Sequence, residues 1–308
     1  MIYVTEDRSR AIVTPELAFD AVRAALIAAI DPSAASFPVV NAHANDPQNR
    51  FSIKSAAGAG LAGFKVGAYF PSNDVHGLPR HASTIMLIDQ ASGKIGALIE
   101  GSAVNCYRTA AADAVATDTL ARPDAQVLTL FGTGHQAAYE ARAIARIRDL
   151  SQVLVVGRDT ARTATFVERL RADGLPAQGA KAPDAVRRAD VIVTATTATD
   201  PLFDADWVQA GTHVSSMGSD SIGKQELPPQ LFARARLFCD LPDQSTRIGE
   251  FQHAPTDAKI TAIGAVLTGA ATGRQAREDI TIFDSSGISL QDLHMAQAVL
   301  DRVQTRTL

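Results

Sequence analysis

The chain has 308 residues, 46% hydrophobic and 20% charged, so it can bury a sizeable core, and its length implies two domains. A formal net charge of −4 and a pI near 6.0 leave no basic surplus for holding nucleic acid or an anionic membrane surface. No apolar run reaches the roughly 18 residues of a membrane span, and Met1-Ile2-Tyr3-Val4-Thr5-Glu6-Asp7 lacks a basic segment ahead of an apolar one; a cytoplasmic address with no membrane or nucleic-acid partner is expected. Two cysteines, Cys106 and Cys239, make neither a disulfide framework nor a zinc pattern, and the seven histidines show no HExxH spacing, so reduced thiols and no metal are expected.

In chain order, Thr14-Pro15-Glu16 supplies a capping hydroxyl, a proline at the first helical position and an acid in the first turn. Ala18, Val22, Ala25 and Ala29 follow at helical spacing until Asp31-Pro32, which predicts a packing helix. Phe37-Pro38-Val39-Val40, Phe51 to Ser55, Phe64 to Phe70 and Ser83 to Asp89 read as strands, the last closed by a turn at Ser92-Gly93-Lys94. Gly58-Ala59-Gly60-Leu61-Ala62-Gly63 spells Gly-x-Gly-x-x-Gly, yet it leads into an alternating strand and opens no helix, so it reads as a loop between strands. Arg108 to Ala116 is helix-forming and carries the chain to a linker at Ala121-Arg122-Pro123-Asp124. Without a strand-helix-strand rhythm, this region predicts an α+β domain with an antiparallel or mixed sheet.

From Gln126 the rhythm changes. An apolar run to Phe131 feeds Gly132-Thr133-Gly134-His135-Gln136-Ala137, a Gly-x-Gly-x-x-Ala turn, and an alanine-rich helical pattern follows. That order is the dinucleotide fingerprint: Gly132 allows the tight turn, Gly134 lets the backbone approach a pyrophosphate, Ala137 lets helix and strand pack closely, and the helix N-terminus offers free N–H groups. Val153 to Val156, a helix over Thr160 to Ala172, Asp190 to Ala195, Thr212 to Ser216 and Arg236 to Cys239 continue the alternation. The prediction is an α/β chain with a Rossmann, doubly wound parallel sheet. Ile280 to Phe283 leads to Asp284-Ser285-Ser286-Gly287, and a final helix from Ser289 has an apolar face at Leu293, Ala296, Leu300 and Val303. The expected domains are 1–118 with 288–308, and 119–287.

The second Rossmann strand ends Val156-Gly157-Arg158-Asp159-Thr160-Ala161-Arg162. With Arg158 in the strand-end position, its fork meets a 2′-phosphate and NADP(H) is expected; with Asp159 there, the ribose hydroxyls are bound and NAD(H) is expected. The balance favours NADP(H). In the plainer alternative Asp159 only caps the next helix and Arg158 lies in solvent.

Four residues could do chemistry. Lys54 and Lys65 each stand opposite the apolar face of their strands, and a hairpin centred between Ala59 and Gly60 sets them directly across from each other. Like charges so placed repel, and an anionic ligand would relieve them; two solvated lysines in another register are the alternative. Arg108, at the start of its helical stretch, opposes the macrodipole, so it is either a surface residue or a clamp on a carboxylate. Asp220, in Met217-Gly218-Ser219-Asp220, falls just past the carboxyl end of a parallel strand, where open α/β sheets bind ligands; there it either exchanges a proton with a reacting nitrogen or caps a turn.

Together, Phe64-Lys65-Val66-Gly67, Tyr69-Phe70-Pro71-Ser72-Asn73, Arg108-Thr109-Ala110-Ala111, the Gly132 turn, Met217 to Asp220, Gly223-Lys224-Gln225-Glu226-Leu227 and Phe283-Asp284-Ser285-Ser286-Gly287 resemble the ornithine cyclodeaminase/μ-crystallin family over nearly the whole chain. The resemblance implies a homodimer in which the N-terminal segment and last helix form a substrate-binding and dimerisation domain. It implies that Lys65 and Arg108 hold the substrate carboxylate and polarise the reacting centre, with Asp220 handling the proton. The residues lining the cofactor would be Gly132, Thr133, Gly134, His135, Gln136 and Ala137, then Arg158, Asp159 and Arg162, then Thr194, Ala195, Thr196 and Met217, and finally Ser285 and Gly287.

Two departures redirect the substrate. Cyclodeaminases carry an arginine on the early strand, where this chain has Phe37-Pro38-Val39-Val40-Asn41, and a Met-Pro pair where it has Ile53-Lys54-Ser55. Gaining Lys54 keeps three cations, which suits a substrate with two carboxylates. Phe37-Pro38-Val39-Val40, Lys54 and Ile248-Gly249-Glu250-Phe251-Gln252-His253-Ala254 are similar to the iminosuccinate-reducing branch of the family. The expected activity is NAD(P)H-dependent reduction of a 2-imino acid, iminosuccinate to L-aspartate first, with Lys54 on the second carboxylate. The alternatives are an ornithine cyclodeaminase, a cyclic ketimine (pyrroline-2-carboxylate) reductase, or an NADPH-binding protein without turnover. His135 and His253 are expected to be structural.

Overall fold

The computed structural model describes residues 1–305. The chain runs β1 (Ile2–Val4), α1 (Glu6–Ile12), α2 (Pro15–Ala28), β2 (Ala35–Ser36), β3 (Val40–His43), β4 (Arg50–Gly58), β5 (Leu61–Tyr69), β6 (His81–Ile88), β7 (Ile95–Glu100) and α3 (Ser102–Leu120). It continues through β8 (Val127–Phe131), α4 (His135–Ile147), β9 (Gln152–Val156), α5 (Thr160–Ala172), β10 (Ala177–Gly179), α6 (Ala182–Arg188), β11 (Val191–Thr194) and β12 (His213–Ser216). Last come β13 (Ala235–Cys239), α7 (Pro242–Ile248), β14 (Ile260–Ala262), α8 (Ile263–Leu267), β15 (Ile280–Asp284) and α9 (Ser289–Thr305). Two compact units result, Met1–Arg108 with the segment from Ile288 onward, and Thr109–Gly287. The first boundary falls after Arg108, inside α3, and not at residue 118; α3 is one continuous helix, so the change of unit leaves no mark in the sequence pattern.

In the first unit, seven strands form a sheet of order β1-β7-β6-β5-β4-β2, with β3 also pairing β4. Only β1 is parallel to its neighbour. The β4–β5 hairpin turns on Ala59 (φ 50°) and Gly60 (φ 77°), two left-handed residues whose turn matches the strand twist and fixes the register. The early Gly-x-Gly-x-x-Gly is therefore a connection between strands, as the sequence predicts: two strand ends and a two-residue turn. Its last glycine has a packing reason: a Cβ on Gly63 would meet the Met86 carbonyl oxygen at 2.1 Å and the Leu293 side chain at 3.0 Å, so α9 can lie close against β5. Thr14 caps α2, its hydroxyl accepting from the Leu17 amide, as the sequence predicts.

One sheet face is buried at Lys54, Ala56, Lys65, Ile85, Leu87, Ala97 and Ile99. The other leaves Phe51, Ile53, Phe64, Val66, Met86 and Leu98 half-buried.

The second unit holds eight parallel strands in the order β10-β9-β8-β11-β12-β15-β13-β14. From β8 the chain winds outward through β9 and β10, then crosses back to β11 on the other side of β8. That reversal is the switch point at which open α/β sheets bind ligands beyond the strand ends. Apolar side chains from both windings, among them Phe131, Ile192, Val214, Leu237, Phe251 and Ile282, fill the core.

Candidate active site

In the first unit, Lys54 and Lys65 pair directly across the hairpin, as the turn position implies. The alternative of solvated lysines does not hold, because Lys65 is 4% exposed and Lys54 9%. Lys65 Nζ donates to Asn105 Oδ1 and to Asp292 Oδ1, both at 2.9 Å. Arg108 Nε lies 3.3 Å from the same Asp292 oxygen, and Arg108 Nη2 donates to Asn105 Oδ1 at 3.0 Å. Burial pushes the Lys65 ammonium down from its usual 10.5 to about 7; Asp292 opposes that fall, while Arg108 and Lys54 add to it. An ammonium has three donors, and two of them are committed to Asn105 and Asp292.

Arg108 differs from its expected place. It sits in the second turn of α3, not at its opening, because α3 starts at Ser102, where the Glu6 carboxylate accepts from the Ser102 and Ala103 amides at 2.7 and 2.9 Å. The cap comes from a residue far back in the chain, so no local signal marks it. The macrodipole argument therefore does not apply, and Arg108 is not a surface residue: it is 9% exposed and ion-paired with Asp292.

In the second unit, the turn after β8 has the form a pyrophosphate needs. Gly132 (φ 118°) packs against the β11 exit, where a Cβ would meet the Ala195 carbonyl oxygen at 2.6 Å. Gly134 is different: its backbone is extended (φ −85°, ψ 179°) and a Cβ would meet no protein atom within 4 Å. Neither strain nor packing requires glycine at 134; it is the N-cap of α4, and the open space over it would admit a pyrophosphate close to the backbone. No side chain caps α4, so its first-turn amides can serve a phosphate. Ala137 is fully buried beneath the turn, and Gln136 Nε2 donates to the buried Glu140 at 2.7 Å. Thr133 packs beside Gly157, and the His135 ring lies 5.1 Å from that of Tyr139, tilted by 59°. These residues fit a nicotinamide dinucleotide. At the end of β9, the Asp159 carboxylate caps α5 by accepting from the Arg162 amide at 2.8 Å, and Arg158 is exposed.

The loops after β11 and β12 are tied by a residue that sequence reasoning did not single out as a site residue. Glu226, wholly buried, accepts from Thr194 Oγ1, the Thr196 amide and Thr196 Oγ1 at 2.7 Å each, from Gly218 N at 2.8 Å and from Ser216 Oγ at 3.1 Å. Thr194 is thereby turned inward, 0% exposed, so its hydroxyl serves the loop, whereas Ala195 and Thr196 remain half-buried. Met217 is buried below the same loop. Glu250 in turn accepts from the Glu226 and Leu227 amides at 3.0 and 2.8 Å. Burial pushes the Glu250 carboxyl up to about 7.

Asp220 lies beyond the end of β12, where the sequence places it, exposed and 2.5 Å from Lys224 Nζ. His253 Nε2 donates to the Lys224 carbonyl at 2.8 Å, a contact within the protein. After β15, Ser285 Oγ and the Gly287 amide both donate to the buried Asp240, at 3.3 and 2.8 Å, which holds that loop in place.

Asn105, Asp292, Glu226, Glu250 and Asp240 were all missed as site residues. A signal for Asp292 exists: it sits on the buried stripe of α9 with Met295, Ala296 and Val299, and a carboxylate on an apolar stripe calls for a cation.

Three comparisons bear on this geometry. The profile of the ornithine cyclodeaminase/mu-crystallin family matches residues 7–307. The iminosuccinate reductase of Paracoccus denitrificans is 37% identical, the alignment covering 98% of this chain and 96% of that protein. Its crystal structure in complex with NAD+ superposes with a TM-score of 0.91 at 36% identity, over 100% of this chain and 97% of that one. An archaeal alanine dehydrogenase, a dimer with bound NAD, gives a TM-score of 0.93 at 28% identity, over 100% and 97% of the two chains. A Δ1-pyrroline-2-carboxylate reductase of Bacillus cereus is 33% identical over 89% of this chain and 86% of that protein.

Proposed function

The chain belongs to the ornithine cyclodeaminase/mu-crystallin family, and from that premise we propose that it is a nicotinamide-dependent reductase of 2-imino acids whose substrate is iminosuccinate, giving L-aspartate. The observation that carries the substrate is the charge of the first unit's cluster: Lys65 and Arg108 both meet the Asp292 carboxylate, and Lys54 stands across the hairpin from Lys65. A cluster this rich in cations favours an acidic substrate over a diamino acid, and a dicarboxylate gives each end of the substrate a cation to meet. A bound nicotinamide supplies the hydride.

The chain's own groups would do the rest. Arg108 and the third donor of Lys65 bind the α-carboxylate, and Lys54 binds the second. Asp220, held at its loop by Lys224, supplies or stabilises the proton on nitrogen. On the second unit, the Gly132–Ala137 turn and the α4 amides bind the pyrophosphate. Arg158, exposed beside an Asp159 engaged as a helix cap, would give the 2′-phosphate of NADP(H) a partner, whereas two solved relatives hold NAD.

Two further features support this reading. The half-buried sheet face carries a cross-strand row of Phe64, Met86, Leu98 and Tyr3, an apolar surface suited to a second copy of the chain. A homodimer through that face predicts a monomer for Met86→Asp in sedimentation equilibrium; a dimer in that variant removes the face from consideration. Cys106 and Cys239 are not joined in a disulfide, which a reducing compartment would require of them, and a cytoplasmic address is proposed.

The deciding experiment follows NADPH and NADH oxidation with oxaloacetate plus ammonia, pyruvate plus methylamine, and a cyclic ketimine. Oxidation confined to the oxaloacetate mixture, and absent without ammonia, is the expected result. Activity on the cyclic ketimine alone would move the protein to the pyrroline-2-carboxylate reductase reading that the Bacillus cereus relative supports. Silence throughout, with coenzyme still bound, would mean a binding protein.

A further inference from the structure

Among the charged groups of the first unit, Asp292 has a place that the reaction as written does not use. It is 1% exposed, it lies in the first turn of α9, where a carboxylate is favoured, and one of its oxygens meets both Lys65 and Arg108. We propose that Asp292 is a positioning residue for the reaction: its carboxylate holds Lys65 and Arg108 side by side, facing the substrate carboxylate, and its negative charge favours a cationic lysine there. The proposal rests on the reading that this cluster binds an acid.

The elements packed around Lys65 bear unequally on its charge. Across β4 stands Lys54, and from α3 come Arg108 and the neutral Asn105. On the β6 side the register partner is Ile85, which carries no charge. Asp292 of α9 is thus the anion that opposes burial and two neighbouring cations. His294, further along α9, lines a groove with Asp20 and Arg23 of α2 and has no ion pair to Lys65.

Geometry supports the same assignment. Asn105 Oδ1 accepts from both Lys65 and Arg108, and Asp292 Oδ1 is shared by the same two cations, so two acceptors hold two cations in a fixed square. A neutral Lys65 would lose its charge-assisted bond to Asp292 and its attraction for a carboxylate together. Because the ammonium form is lost as pH rises through about 7, binding of the acid should weaken over that interval. Removing Asp292 takes away the one opposing charge and moves the loss to lower pH.

The test is a 13C NMR titration of Lys65 Cε in the full-length protein, assigned with Lys65→Arg, in wild type and in Asp292→Asn, paired with pH profiles of kcat/KM. Asparagine keeps an acceptor at Oδ1 and puts its amide where Oδ2, a buried atom without a partner, now lies. The expected midpoint falls by about one unit or more, equivalent to about tenfold in the ammonium population above the midpoint. KM for the acid rises at neutral pH and recovers as pH is lowered, while Asp292→Glu restores the wild-type profile. Asp292→Ser, which cannot overfill the site, gives the same reading should asparagine prevent folding. An unmoved Lys65 midpoint, or a rate loss equal at every pH, overturns the proposal. The NMR titration needs no turnover, so a protein that reduces no imino acid would sink the functional reading and leave this result to be judged by the midpoint alone.

Discussion

Lys54 and Lys65 face each other across the β4–β5 hairpin, and the ion pair to Asp292 is made by Lys65. Like charges directly opposite on a sheet repel, and a substrate carboxylate reaching Lys54 would relieve that repulsion. Lys54→Met should lower kcat/KM for the dicarboxylic imine by about 10- to 100-fold, the range expected when a charged hydrogen bond of about 1.5–3 kcal/mol is lost. Activity on the methylimine of pyruvate should be little changed, and the melting temperature should hold or rise. An equal fall on both substrates would show that Lys54 does not read the second carboxylate.

The two glycines of the nucleotide turn should respond differently to alanine. Gly132→Ala forces a side chain into φ 118° and against the Ala195 carbonyl oxygen at 2.6 Å, so it should cost about 1–3 kcal/mol of stability, read as a lower unfolding midpoint. Gly134→Ala has extended backbone and open space, so its midpoint should match wild type while coenzyme Kd rises about tenfold or more. Equal coenzyme binding in Gly134→Ala would remove the reason offered for that glycine.

The same contrast shows what was legible beforehand. The Gly132 turn, the parallel alternation after it, the Thr14 cap and the register of Lys54 with Lys65 all depend on short-range patterns, and the structure reproduces them. Strands β1 and β7 and the true start of α3 were not legible, because their partners lie far off in the chain: Ile2–Val4 pairs with Ala97–Ile99, and Glu6 caps Ser102. Among candidate residues, Lys65 could be singled out from its strand, whereas the helix pattern misplaced Arg108 at a helix start and left it between surface and clamp; Asn105 and Asp292 become partners only when α3 and α9 pack on the sheet. Glu226 and Glu250 belong to motifs visible in sequence, yet their work as buried acceptors for distant loops is a tertiary property.

Coenzyme choice turns on one exposed guanidinium. Arg158→Ala should raise KM for NADPH about tenfold or more, corresponding to at least about 1.4 kcal/mol, and leave NADH nearly unaffected. Asp159→Ala should act elsewhere, costing about 1 kcal/mol through loss of the α5 cap. Equal KM changes for the two coenzymes in Arg158→Ala would leave the 2′-phosphate without its proposed partner.

Glu226 and Glu250 are both buried and adjacent, but replacement by glutamine should part them. Every partner of Glu226 is a donor, from Thr194, Thr196, Ser216 and Gly218, so Glu226→Gln puts an amide against N–H and O–H groups and should destabilise the protein at any pH. Glu250 has its carboxyl pushed from 4.5 up to about 7, chiefly by burial. The folded state therefore holds this proton more tightly than the unfolded chain; the stability it contributes is complete below about pH 4.5 and is lost as pH rises through about 7. In Glu250→Gln the carbonyl can keep the Glu226 and Leu227 amides while the NH2 donates to Ser216 Oγ. Urea unfolding from about pH 5 to about pH 8 should then show a decline of up to roughly 3 kcal/mol in wild type that is much smaller in Glu250→Gln. A variant weakened equally across that range would mean that Glu250, like Glu226, acts as a clamp and not as a titrating group.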